Sequence, residues 1–218
     1  GSGTVSLTAA TSVILGAVTT TSSTVGITAT AGSITETTAA ETANITSSGT
    51  VTLTAATGIG ASGAGDLETA IGTLVATNST SGDIVIAESN GLIVSSATTS
   101  AGNGNIDINT AAGAFTVSGA ITAHGSGDVT LLATGGLLTI NAAVTSTTGD
   151  LSLTGGTGVT HNASGNLTTT GVGTITVAAS TGNITMADGT VYSTGSGTVS
   201  LTAATSVILG AVTTTSST

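Results

Sequence analysis

An all-β, right-handed parallel β-helix (β-solenoid), wound at about 24 residues per coil with three short strands in each, is the fold predicted by three observations. Pairs of aliphatic residues separated by one small residue recur along the chain, the period-2 signature of a strand with one buried face. Gly195 to Thr218 reads GSGTVSLTAATSVILGAVTTTSST, the same letters as Gly1 to Thr24, so the sequence begins again after 194 residues. The composition suits a thin aliphatic interior, with 39% hydrophobic residues, only 1% aromatic, 33 Gly and no Pro. A fixed long period reads as one unit copied head to tail. Residues 1–194 form one full tandem repeat unit, and residues 195–218 open the next identical unit.

In chain order the aliphatic pairs are Val5/Leu7, Val25/Ile27, Val51/Leu53, Ile84/Ile86, Ile106/Ile108, Val129/Leu131, Leu151/Leu153, Ile175/Val177 and Val199/Leu201. Their first members lie 20, 26, 33, 22, 23, 22, 24 and 24 residues apart, which predicts eight coils per unit. Weaker strands fall between them at Val13 to Leu15, Ile34, Ile59, Leu92 to Val94, Ala114 to Val117, Leu137 to Ile140, Val159 and Ile184 to Met186. Third segments follow at Val18, Ile45, Leu67, Ile121, Val144, Leu167 and Val191. β-Branched residues and Gly argue against helix, and without cations no charged i, i+4 pair can support one. The 33-residue interval from Val51 to Ile84 is the exception. It reads as an outward loop or lengthened coil, with a helical turn at Asp66 to Ile71 capped by Asp66. Leu74 lies only ten residues before Ile84, too few for a turn of its own.

Ten carboxylates stand against no Lys or Arg, giving a formal charge of −10. Nucleic acid is excluded as a partner, because its binding draws on cations that displace counterions from phosphate. No apolar run reaches the roughly 18 residues of a membrane span, so membrane insertion is not expected. Lack of Cys rules out a disulfide scaffold. Frequent Val, Ile and Leu and a mean hydropathy of +0.54 oppose disorder.

The phrases GTVSLTAAT, GTVTLTAATG, GDVTLLATGG, GDLSLTGGTG and GNITMADGT resemble filamentous-haemagglutinin-like β-helices of giant exported bacterial surface proteins. The resemblance implies a right-handed parallel β-helix at the cell surface or outside the cell, acting as adhesin, stalk or fibre. Together with the repeat it points to a non-catalytic fibre, stalk or surface sheath whose partners are further copies of itself, along the axis and laterally. The alternative is the shaft of an adhesin whose binding domain lies elsewhere in the chain.

Catalytic residues are not in evidence. His124 and His161 sit in turn-like contexts and read as exposed loop residues, with metal binding as the other reading. The Ser and Thr lack a base, and a phosphate loop would need Lys. Polysaccharide-cleaving β-helix enzymes, which need clustered acids or cations in a cleft, are the disfavoured enzymatic reading. Asn44, Asn78, Asn162, Asn166 and Asn183 open N-x-S/T sequons, read as turn residues or glycosylation sites. Alternate Thr and Ser, as in Thr50-Thr52-Thr54, supply β-propensity and hydroxyl ladders, or an ice-ordering row where unbroken. No cofactor is expected except Ca²⁺. Asp83, Asn105, Asp128 and Asp150 each follow Gly and precede an aliphatic pair, and Asp107 lies two positions beyond Asn105. Gly-Asp and Gly-Asn are turn chemistry at a coil corner, and stacked they also form an oxygen-rich strip that suits Ca²⁺.

Overall fold

The computed structural model describes residues 3–37, 41–100 and 102–215. Among these residues there is no helix, and the strands pair in parallel with partners about 23 residues away, building a β-solenoid of about 9 turns. Each strand is short because every turn must bend at its corners, and Gly, Ser, Asn and Asp occupy those bends. Inward residues form ladders of Val, Ile and Leu. Val51, Leu53, Ile106, Ile108, Leu151 and Leu153 are all fully buried, as the alternation predicts. Each such side chain contributes about 1.5–3 kcal/mol by leaving water.

Val5 stacks on Val25, Val51, Leu74, Val94, Val117, Ile140, His161 and finally Met186. A second column runs from Val13 through Ile34, Ile59, Ile84, Ile106, Val129, Leu151 and Ile175 to Val199. The nine aliphatic pairs therefore do not form one ladder. Those at Val5, Val25 and Val51 belong to the first column, and those from Ile84 onward belong to the second. Leu74 does open a turn, 23 residues after Val51 and directly stacked on it. The ten residues from Leu74 to Ile84 carry the chain only to the next side of the coil. Eight turns therefore end at Met186, and Val199 lies a further part-turn on.

The crossover has a local cause. Three long strands, Ile45–Ala55, Leu67–Asn78 and Leu92–Thr99, run through the corners in this region. Leu74 faces Val94 but Val75 faces Ser96, so Ser95 is an extra residue that pushes the following columns apart. One turn later that side carries two short strands, Phe115–Val117 and Ile121–Ala123. On the other side Ile59 and Leu67 stack on Ile84 and Ile86, gathering two segments into the single strand Ile84–Glu88. The expected helical turn at Asp66 to Ile71 is absent, since Leu67–Asn78 is strand. Leu67 and Ile71 do pack inward, but parallel neighbours on both sides satisfy the backbone better than an isolated helical turn could. The outward loop is real and small, closed by an antiparallel bridge between Ala61 and Gly65. Gly60 and Gly63, at φ of 66° and 74°, make its left-handed bends.

Identical letters thus occupy different sides. Val5–Ala9 and Val199–Ala203 are both strands, but the second lies over the columns that Val13 and Val18 began.

Candidate functional site

Four of the five residues expected to form the Ca²⁺ strip lie in one axial row. The Asp83 Oδ1 accepts from the Asn105 N–H at 2.8 Å, and the Asn105 Oδ1 accepts from the Asp128 N–H at 2.9 Å. The Asp128 and Asp150 Oδ1 atoms accept likewise from the Asp150 and Thr174 N–H groups, at 2.8 and 2.7 Å. Each side chain thus holds the backbone corner of the following turn. The preceding glycines stack with them, and a Cβ on Gly104, Gly127, Gly149 or Gly173 would run into the carbonyl oxygen of the glycine one turn below. The repeated Gly-Asp and Gly-Asn pairs follow from these contacts. Asp107 stands apart from the row, half-buried on the outer face of Ile106–Thr110. Burial and the nearby Asp66 push its carboxyl above the usual range.

Carboxylates converge elsewhere. Glu41, Asp66 and Glu68 each bring one oxygen to within 4.8 Å of the others, and Glu36 raises the Glu68 pKa from close by. The small loop is the cause, because it leaves the coil after Gly60 and returns at Asp66, whose N–H donates to the Gly63 carbonyl at 3.2 Å. Its return sets Asp66 and Glu68 beside the turn that carries Glu36 and Glu41. Glu68 is locked on its strand, its N–H donating to the Asn44 Oδ1 at 3.1 Å and its carbonyl accepting from the Asn44 N–H at 2.8 Å. Although its position alternates outward, Glu68 is only 7% exposed. Both of its carboxylate oxygens, both of Glu36 and one of Asp66 are buried without a hydrogen-bond partner. Burial first, then Asp66 and Glu36, push the Glu68 carboxyl up to about 7. A groove of about 260 Å³ bordered by Glu41, Glu68 and Glu88 opens beside the cluster.

Glu88, in contrast, is fully engaged. Its Oε2 accepts from the Thr69 hydroxyl at 2.7 Å and the Ile71 N–H at 2.9 Å, and its Oε1 accepts from the Asn90 N–H at 2.9 Å. His161 overturns its reading as an exposed loop residue. It ends the strand Gly158–His161, faces the core between Ile140 and Met186, and is 0% exposed. Its Nδ1 donates to the Gly165 carbonyl at 2.7 Å while its Nε2 has no partner. Burial lowers its pKa to about 4, so the ring is neutral at pH 7. The Tyr192 ring meets it edge-on at 5.0 Å between centroids.

Other sequence candidates dissolve into structure. Asn44 and Asn78 are buried, each with its side chain bonded to backbone, which removes them as accessible sequons. Of the hydroxyl rows expected along the turns, the one through Ser6 is broken at Gly26 and Val75, whereas the one through Thr8 stacks without a gap over Thr28, Thr54, Thr77, Thr98, Thr122, Thr145, Thr168 and Ser193 to Thr213. A groove of about 490 Å³ lined by Thr19, Thr46, Ser48 and Asn90 among others contains no titratable group. No family model, curated protein or solved structure matches the chain.

Proposed function

We infer that this chain is a length of non-catalytic structural shaft, a fibre, stalk or surface sheath outside the cell, built from tandem solenoid units. The observation that carries this reading is how the duplicated segment stacks. The second copy's Val199–Ala203 pairs in parallel with Ile175–Ala179 of the first unit, so the repeat continues the same ladder. Burying each turn's aliphatic side chains against the turn before is the thermodynamic drive for a long rod. The chemistry of the sides is consistent with a passive shaft. His161 is buried in the core while His124 is exposed, and Ser and Thr occupy many of the outer strand positions.

Electron microscopy of native material is the test. Rods that associate side by side over their length support a fibre or sheath. Single hydrated rods, each tipped by a globular domain, favour the adhesin shaft instead. Compact particles without axial extension overturn both.

A further inference from the structure

We propose that Glu36, Glu41, Asp66 and Glu68 form a binding site for a divalent cation of the calcium class, placed where the solenoid shifts its strands from one side to the other. The proposal concerns this chain's own side chains and does not depend on the shaft reading. Two independent observations carry it. Three residues bring carboxylate oxygens within 4.8 Å of one another, and Glu36 adds a fourth carboxylate at their side. Separately, Glu68 is only 7% exposed and aimed into that group, yet neither of its oxygens has a hydrogen-bond partner.

Buried carboxylate oxygens without donors carry a large penalty unless protonated or bound to a cation. The sequence contains no Lys or Arg to serve as that cation. Elsewhere the chain meets the same demand with backbone N–H groups, as at Glu88 and along the row from Asp83 to Asp150. At this cluster alone among the described residues do several carboxylates meet without such donors.

The donors and their spacing select the ion. All are hard oxygens, which favours Ca²⁺ or Mg²⁺ over metals that seek nitrogen or sulfur. Ca²⁺ holds oxygens at about 2.3–2.6 Å, so ligands on opposite sides of one ion lie up to about 5 Å apart. The oxygens of Glu41, Asp66 and Glu68 already fall within that span. Mg²⁺, at about 2.1 Å, demands near-octahedral geometry and gives up its waters reluctantly, which four carboxylates on irregular backbone suit less well. Four carboxylates used in one- or two-oxygen fashion, with water through the adjoining groove, satisfy the six to eight positions that Ca²⁺ fills. Glu41 is exposed and Glu68 buried, which gives the ion an entrance and a floor.

The test is calorimetric titration of the chelator-treated 218-residue chain with CaCl₂ at fixed ionic strength, with thermal melts alongside. The expected result is saturable uptake of one Ca²⁺ per chain, a rise in Tm on binding, and weaker uptake of Mg²⁺. Glu68→Gln combined with Asp66→Asn should weaken Ca²⁺ binding about tenfold or more, since affinity follows ligand charge. The same variant should melt higher than wild type in chelator, because it removes like-charge repulsion. Glu41→Gln, altering an exposed residue, gives a milder loss of affinity and covers the case in which the double variant does not fold. Absence of saturable uptake up to about 10 mM, beyond the weakest sites of this class, overturns the proposal. So does unchanged uptake in both variants, or uptake abolished by Asp128→Asn/Asp150→Asn while the Glu68 variant binds normally.

Discussion

Glu88→Ala should destabilise the fold by about 3 kcal/mol, whereas Glu88→Gln should cost only about 1 kcal/mol. Glu88 faces inward in a column whose neighbours run Ile45, Thr69, Glu88, Thr110 and Ala133. It is 1% exposed, and its oxygens receive the Thr69 hydroxyl and the Ile71 and Asn90 N–H groups. Alanine leaves the buried Thr69 hydroxyl and Ile71 N–H without acceptors and opens a cavity where the two long strands part. Glutamine keeps one oxygen in place and loses the rest of the pattern. Urea denaturation followed by circular dichroism reads both values. An alanine variant within about 0.5 kcal/mol of wild type would mean that water replaces the carboxylate and that the contacts are incidental.

His161→Met should be increasingly more stable than wild type as pH falls, with the difference reaching about 3 kcal/mol near pH 4. The folded pKa of about 4 lies below the unfolded value of 6.5, so the fold holds the neutral ring. A group depressed in this way gives its full support above the unfolded pKa and loses it as pH falls through that value towards the folded one. Glu68, Glu88 and Asp107 act in the opposite sense, because their folded pKa values are raised and protonation favours the fold. Wild-type stability against pH is therefore a sum of opposing slopes. The difference between the two proteins isolates the imidazole. Methionine is close in volume, Met186 already occupies the next rung, and its sulfur can meet the Tyr192 ring. Parallel stability curves for the two proteins between pH 7 and pH 4 would show that the ring escapes to solvent.

Alternation in the sequence reports which side chains point inward, and the buried pairs from Val25/Ile27 to Ile175/Val177 follow it. It does not report which column a strand joins, because a period of two has the same appearance on every side of a coil. The column change was nevertheless written in one spacing. Val51 to Leu74 is 23 residues, the ordinary length of a turn, and setting Leu74 aside for its closeness to Ile84 concealed the shift. The row of Asp83, Asn105, Asp128 and Asp150 was legible because regular turns put one Gly-Asx pair over the next. The cluster of Glu36, Glu41, Asp66 and Glu68 was not, since the small loop after Gly60 sets Asp66 and Glu68 off the regular turn spacing from Glu36 and Glu41. His161 was misread for a different reason: its neighbours Asn162, Ser164 and Gly165 are turn formers, and the strand ends on the histidine itself.

The change of side has a consequence for the symmetry of any filament made from identical units. Each unit winds eight turns and a further part-turn, so its successor starts on the column that Val13 began and not on the one that Val5 began. Successive units are then related by a screw operation, a part-turn of rotation with an advance of about 40 Å at strand spacings of about 4.8 Å. The carboxylate clusters follow the same screw, so a filament presents its acidic marks to neighbours on more than one side.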